Sequence, residues 1–253
     1  MNNFPKNKAV QAFNDYVANY DKNNFGVALK IAHTFRVAEI SEKIALSVKN
    51  IDPNFSWLLG LLHDIGRFEQ VTRFGTFRDA LSVDHAELGA DILFHENLIE
   101  KFPVEDFKNF FTEDWRNAAE IAIRVHNKLK VPEDLPEKTK IYANILRDAD
   151  KTDIFRVTTE PPYDERNIEN LTVREEILQC VREHRCVLRN AVEFNAFESL
   201  IFLCSMSFEI CYPKAKEIIL EQGFLKKLVE QIPKNSNPIS NFIYEEFIKT
   251  MRN

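Results

Sequence analysis

Glycine is scarce in this sequence, with six residues among 253, where an average globular chain holds about 7%. The sequence also lacks long segments in which apolar and polar residues alternate, which is the pattern of half-buried strands. Apolar residues recur instead at helical spacing, as in Ile31, Phe35 and Ala38. We therefore predict an all-α fold, with a single globular helical core and additional C-terminal helices.

Long apolar runs are missing as well. The first ten residues, MNNFPKNKAV, contain no apolar core of the kind found in signal peptides. No stretch approaches the roughly 20 apolar residues that a membrane-spanning helix needs. We therefore expect a cytoplasmic protein without a membrane partner.

The sequence has no excess of positive charge and no C-x-x-C pair. Its 33 basic and 39 acidic residues give a net charge of -6, which argues against general nucleic-acid binding because that needs a basic surface. The spacing of the cysteines indicates neither a zinc ribbon nor a redox dithiol. With no export signal, we expect reduced thiols at Cys180, Cys186, Cys204 and Cys211.

Helical periodicity predicts the secondary structure along most of the chain. Asp52 and Asp84 are the predicted N-caps of two helices, and Gly66 is predicted to stop a helix. The stiff turn Glu160-Pro161-Pro162-Tyr163-Asp164 predicts a boundary between a catalytic core, residues 1–160, and a helical extension packed on it, residues 161–253. The predicted helices are 25–48, 54–63, 84–94, 113–126, 137–155, 172–189, 193–221 (with a break near Tyr212-Pro213) and 238–251.

The side chains that the sequence does offer for chemistry are histidines and aspartates. A His-Asp pair ends an apolar run in Leu-Leu-His63-Asp64-Ile-Gly-Arg67. Neutral imidazole and carboxylate are ligands that iron, manganese, zinc and nickel accept. Four histidines and two aspartates are enough to hold two metal ions, with one carboxylate as a bridge. The candidate ligands are His33, His63, Asp64, His85, His126 and Asp150.

The blocks that contain these residues resemble the HD-domain superfamily of metal-dependent phosphohydrolases. In order, the blocks are AHTFRVAEI, LLHDIGRFEQ, DHAELGADIL, IAIRVHN and RDADKTDIF, and they cover about residues 25–160. The resemblance implies an HD-domain helical core with two metal ions bridged by Asp64. One ion would be bound by His33, His63, Asp64 and Asp150, and the other by His85, His126 and Asp64.

The resemblance also implies a function. We expect metal-activated hydroxide to hydrolyse a small phosphate ester, with a nucleotide as the favoured substrate. Iron or manganese suits a carboxylate-bridged, histidine-rich site, and zinc, nickel or magnesium are other candidates. Two alternatives stay open: a two-iron oxygenase of the same superfamily, and a catalytically weak regulatory module whose C-terminal phenylalanines bind a partner. A homodimer also stays open.

Basic side chains near the ligands are candidates for binding a phosphate. Arg67 follows the His-Asp pair and Lys151 follows the last ligand, so we predict that both assist Asp64 in catalysis. Residues 71–80 lie between two ligand blocks, with Gly75 as a predicted hinge, and should pass close to the metals; the alternative is a loop packed on the core by its phenylalanines. The predicted substrate-binding residues are Arg36, Arg67, Arg73, Arg78 and Lys151.

Overall fold

The computed structural model shows helices, turns and connecting loops, and no strand among the residues it describes. The predicted all-α class is therefore confirmed. Contacts between residues divide the chain into two compact units, 1–150 and 151–253. The structure describes residues 4–104, 115–160, 168, 171–188, 193–234 and 236–252.

The first unit contains most of the predicted helices, with shifted ends. It also contains short turns of other helical types: Asp79–Leu81 and Leu98–Lys101 are 3₁₀ turns, and Asp91–His95 is a π-helical turn. Residues 113 and 114 of one predicted helix lie outside the described residues. The helices are α1 (Lys6–Val17), α2 (Phe25–Ala45), α3 (Pro53–Leu62), α4 (Ile65–Phe74), α5 (His85–Ala90), α6 (Trp115–Val125) and α7 (Glu137–Val157), which runs into the second unit.

Side-chain caps fix where three of these helices begin, with Asn24 capping α2. The Asp52 carboxylate accepts hydrogen bonds from the first amides of α3, with Pro53 at the first position. The Asp84 carboxylate does the same for α5. Such caps satisfy amides that a helix leaves without intrahelical partners. Both predicted N-caps are confirmed.

The prediction that Gly66 stops a helix is wrong. Helix α3 ends at Leu62, and Gly66 lies in the first turn of α4. A Cβ atom on Gly66 would lie 2.3 Å from the backbone oxygen of His85 and 2.6 Å from the backbone nitrogen of Gly89. The missing side chain therefore lets α4 and α5 approach each other closely, which is a role in packing.

Helix α1 was not predicted, and it supports the core behind the His-Asp turn. The Phe13 ring packs edge-to-face against Phe35 of α2 and Phe68 of α4, at centroid distances of 5.3 and 5.9 Å. The Tyr16 hydroxyl donates to the backbone oxygen of Ile65, 3.3 Å away. Because Ile65 follows Asp64 directly, α1 holds the start of α4 in place.

The second unit is also helical. Phe197 and Phe247 are buried, and Phe208 stacks on Phe247 at 5.2 Å. Phe224 is buried as well, so two of the C-terminal phenylalanines proposed as a partner surface, Phe197 and Phe224, belong to the core of this unit. The helices after α7 are α8 (Glu175–Arg182), α9 (Ala196–Ser205), α10 (Pro213–Gln222), α11 (Phe224–Val229) and α12 (Pro238–Arg252), with a 3₁₀ turn at Met206–Glu209.

The expected break near Pro213 is confirmed, because α9 and α10 are separate helices on either side of it. The domain boundary stays a prediction, since residues 161–164 of the proposed turn lie outside the described part of the chain. All four cysteines are free thiols, as expected. None of the described helices combines the length and apolar character needed to cross a bilayer.

Candidate metal centre

All six predicted metal ligands converge within the first unit, although they are far apart in sequence. Helix α2 carries the first, the turn between α3 and α4 carries two, α5 begins with the fourth, the fifth follows α6, and α7 carries the last. The four imidazole-bearing residues are at most 4% exposed. The converging residues are His33, His63, Asp64, His85, His126 and Asp150.

The turn between α3 and α4 lets two adjacent residues face one point. Asp64 has φ −104° and ψ 17°, which ends the path of α3 and starts α4. The Nδ1 atom of His63 lies 2.7 Å from the backbone oxygen of Gly60, so Nε2 points to the opposite side, 3.3 Å from Asp64 Oδ2. The turn therefore lets His63 and Asp64, which are adjacent in sequence, face the same point.

The first group of candidate ligands surrounds Oδ2 of Asp64. His33 Nε2 lies 3.5 Å from this oxygen and 3.0 Å from Asp150 Oδ1. His63 Nε2 lies 3.7 Å from the same Asp150 oxygen. The ligand atoms of His33, His63 and Asp64 all lie within 4.8 Å of one another, a spacing that could hold a metal ion.

The second group surrounds Oδ1, the other oxygen of the same carboxylate. His85 Nε2 lies 3.6 Å from Asp64 Oδ1 and 3.1 Å from His126 Nε2. The backbone oxygen of Ile123 lies 2.6 Å from His126 Nδ1 and directs Nε2 inward. Asp64, His85 and His126 form a second set within 4.8 Å. Asp64 therefore presents one oxygen to each group.

Buried polar atoms in both groups fit a divalent metal ion. Among the described residues, His63 Nε2 and Asp64 Oδ1 are buried without a hydrogen-bond partner. Such atoms are costly in a folded protein unless something else satisfies them. Imidazole nitrogen and carboxylate oxygen are also the donors that iron, manganese and zinc accept.

The carboxylates make the first group favourable for a cation. Burial alone would raise the pKa of Asp64, but the nearby charges of Lys30 and His63 outweigh it and hold this pKa well below its usual range. Burial alone would lower the pKa of His63, but Asp64 and Asp150 raise it to about 10. A metal ion at this position would take the place of the His63 proton.

The second group favours neutral imidazoles. Burial, followed by repulsion from His85 and His63, lowers the pKa of His126 to about 3. Burial and the Arg67 guanidinium also lower the pKa of His85. Neutral imidazole is the form that binds metals, so the protein environment keeps both side chains in the ligand state.

Asp79 is a site residue that the sequence analysis missed. Its Oδ2 lies 2.7 Å from His85 Nδ1, and its Oδ1 accepts hydrogen bonds from Arg67 and Gln70 at 2.9 and 2.8 Å. Burial would raise the pKa of Asp79, but His85 and Arg67 outweigh it and lower this pKa. A carboxylate at the far nitrogen of a ligand histidine fixes the orientation of the ring.

We expect Asp79→Asn to weaken metal binding at His85 and His126 by about tenfold or more, because the amide keeps the shape of the carboxylate and loses its charge. Titration of the metal-free protein with Mn²⁺, followed by electron paramagnetic resonance, measures this change. Asp134→Asn, in an exposed turn, is the matched control. Equal Mn²⁺ affinity in wild type and Asp79→Asn would contradict the orienting role.

Asp84 has a structural role in spite of its position next to His85. Besides capping α5, its carboxylate accepts hydrogen bonds from Asn127 Nδ2 at 2.7 Å and from Lys128 Nζ at 2.5 Å. The cluster of Asp79, Asp84 and His85 is close enough to hold a metal ion. Its carboxylates are already engaged by these donors, by His85 and by Arg67, so we assign it no metal.

Arg67 is the predicted phosphate-binding residue that the structure places beside the ligands. Its Nε lies 3.6 Å from Asp64 Oδ1. Its Nη1 donates to the backbone oxygen of Phe77 at 2.7 Å, and also to Gln70 and Asp79. Arg67 therefore anchors the segment after α4 and borders the second ligand group.

The other predicted substrate-binding residues lie in different environments. Arg73 is exposed and forms an ion pair with Glu69, one turn earlier on α4. Arg78 is exposed, Arg36 is half-buried one turn beyond His33 on α2, and Lys151 is half-buried on α7. Their contact with substrate stays a prediction.

The segment 71–80 divides into two parts. Helix α4 extends to Phe74, and Gly75 ends it with φ +64°, a left-handed conformation that suits glycine. The remainder passes beside the ligands, as expected, because Asp79 contacts His85. Phe77 packs so closely on Gly26 that a Cβ there would lie 2.9 Å from its ring.

Lys30 is a second residue that the sequence analysis missed. It lies on α2, three residues before His33, and therefore on the same side of the helix. Its Nζ lies 2.6 Å from Asp64 Oδ2. The i, i+3 spacing from a ligand was the signal in the sequence that could have identified it.

Comparison with known protein families matches residues 31–154 to the HD domain. The match begins in α2, ends in α7 and includes all six converging residues. Among curated proteins and among solved structures, the comparisons found no significant match. This chain therefore contains an HD domain over residues 31–154, consistent with the HD-domain superfamily of metal-dependent phosphohydrolases that its sequence resembles.

Proposed function

We propose that this protein hydrolyses a small phosphate ester, with a nucleotide as the favoured class, by means of two divalent metal ions. The observation that carries the proposal is the position of Asp64, which presents Oδ2 to His33 and His63 and Oδ1 to His85. A carboxylate shared in this way is suited to bridge two ions, of which iron and manganese fit the donor set best. Membership of the superfamily supports the hydrolytic reaction.

The protein's own residues would orient the ligand histidines, limit access of water and hold the ions. The backbone oxygens of Gly60 and Ile123, together with Asp79, hold the far nitrogens of three ligand histidines. Burial of the imidazoles limits competition from bulk water. When bound, the ions would supply an activated water and polarise a phosphoryl oxygen. One ion would be held by His33, His63, Asp150 and Asp64, and the other by His85, His126 and Asp64.

Arg67 supplies the positive charge of the protein at the second group. Because Phe77, Gln70 and Asp79 fix its guanidinium, Arg67 can stabilise negative charge on a transferred phosphoryl group without reorganising. We propose that Asp64, Arg67 and Lys151 form the catalytic set, in agreement with the expectation from the sequence.

The test is phosphate or nucleoside release from nucleoside mono-, di- and cyclic phosphates and simple phosphomonoesters, with Mn²⁺ or Fe²⁺ under reducing conditions. We expect turnover of at least one substrate, its loss with a chelator, and its recovery when metal is restored. Asp134→Ala should behave as wild type. No turnover across the panel by metal-loaded protein would contradict the proposal, and oxygen consumption with a mixed-valent iron spectrum would favour the oxygenase alternative.

A further inference from the structure

Differences in exposure mark the side from which a substrate can reach the metal centre. The imidazole side chains of His33, His63 and His85 are at most 5% exposed. Lys30 and Arg67 retain 16% and 15% exposure, respectively, and both contact the buried Asp64 carboxylate. The two cations therefore line the open side, each next to a different oxygen of Asp64. The carboxylates of Asp150 and Asp79, which are 15% and 32% exposed, line it with them.

Lys30 has hydrogen-bonding capacity that the protein does not use. An ammonium group has three donors, and in the described part of the chain its Nζ has one acceptor, Asp64 Oδ2 at 2.6 Å. The centroid of the Phe77 ring lies 5.7 Å from Nζ, and a ring supplies no hydrogen-bond acceptor of comparable strength. Two donors remain for a ligand that arrives from the open side.

Arg67 differs from Lys30 in how firmly the protein holds it. Three acceptors engage its Nη1 atom, and the Phe77 ring lies 5.8 Å from its Cζ atom. Lys30 is attached at one point, to an oxygen that also faces the first ligand group. Lys30 is therefore the cation that can exchange its partner most easily.

We propose that Lys30 binds the phosphate group of the substrate, an inference that rests on the proposed function. With divalent ions at the centre, the charge of Asp64 is neutralised largely by them, and the ammonium group needs another anion. A phosphate on the open side offers several strong acceptor oxygens for a charge-assisted hydrogen bond. The sequence analysis did not include Lys30 among the residues that bind phosphate.

The experiment measures binding of inorganic phosphate to Mn²⁺-loaded protein by isothermal titration calorimetry. Lys30→Met should lower phosphate affinity by about tenfold or more, the loss of one charge-assisted hydrogen bond. Its Mn²⁺ content should equal that of wild type. Lys43→Met, the same substitution at an exposed position of α2, should leave phosphate affinity unchanged.

Lys30→Arg keeps the positive charge, and its phosphate affinity should lie closer to wild type than that of Lys30→Met. Equal loss in both variants would contradict charge-based binding. If Lys30→Met does not fold, Lys30→Arg is tested alone, and a loss of about tenfold in the phosphate affinity of folded, metal-loaded Lys30→Arg would contradict it. Wild-type affinity in folded, metal-loaded Lys30→Met would overturn the assignment, and so would loss of Mn²⁺, which would make Lys30 a positioning residue for Asp64. If metal-loaded wild type binds no phosphate, the proposed function itself fails.

Discussion

Asp64→Ala is expected to abolish metal binding at both ligand groups and, with it, all hydrolysis. The substitution removes Oδ2 from the group of His33 and His63, and Oδ1 from the group of His85. Each group then loses its shared anionic ligand, and the second group keeps imidazoles alone. A single substitution elsewhere in the centre would remove a ligand from one group only. Metal analysis of protein reloaded with excess Mn²⁺ measures the loss.

Two controls make this result specific to the bridge. Asp134→Ala and His95→Ala alter exposed positions and should retain wild-type metal content and rate. Asp64→Asn keeps the size of the side chain, so circular dichroism of this variant separates loss of metal from loss of fold. If Asp64→Ala still bound one equivalent of Mn²⁺ tightly, Asp64 would not bridge the two groups.

Gly66→Ala is expected to have the largest effect on stability, about 3 kcal/mol or more in the free energy of unfolding. The added Cβ would lie 2.3 Å from the backbone oxygen of His85 and 2.6 Å from the backbone nitrogen of Gly89. Both contacts are with backbone, which cannot rotate away as a side chain can. Helices α4 and α5 must therefore separate, and this moves His85 away from Asp64. Chemical denaturation measures the free energy, and Mn²⁺ titration measures the accompanying loss of metal affinity.

Gly75→Ala is the matched control for this prediction. Gly75 has φ +64°, and in the described part of the chain no atom other than those of Gly75 and its two neighbours lies within 4 Å of the position that a Cβ would take. We expect a cost of about 1 kcal/mol from the left-handed backbone alone, with metal affinity unchanged. Equal destabilisation by the two substitutions would show that close packing of α4 on α5 is not what requires Gly66.

The ligand set could be predicted because its members share a residue type and occur in a characteristic order. That order is visible directly in the sequence, in the blocks around His33, the His63-Asp64 pair and Asp150. Helix propensity and capping residues, such as Asp52 and Asp84, then placed the blocks on helices. These signals depend on residues that are close in sequence, so they can be recognised without knowledge of the tertiary fold.

The residues that support the ligands could not be ranked in the same way. Asp79 contacts His85 across a turn, and Lys30 contacts Asp64 across two helices. Neither contact follows from the order of the ligand blocks, and the three-residue spacing of Lys30 from His33 was a weaker signal than that order. Arg73 and Arg67 are similar as sequence features, yet one is exposed beside Glu69 and the other borders the metal centre. Helix α1 is different, because the spacing of Ala9, Phe13 and Val17 was a helical signal that we overlooked.

The sequence by itself determined the all-α class, the six candidate ligands and, through their order, the superfamily. Only the tertiary structure decided which oxygen of Asp64 faces which histidines, and that Lys30 contacts Asp64 while Asp79 contacts His85. It also showed that Gly66, predicted to stop a helix, is the residue at which α4 and α5 pack closely. The reason is physical: helix formation and ligand chemistry depend on nearby residues, whereas orientation and contact depend on how distant helices pack.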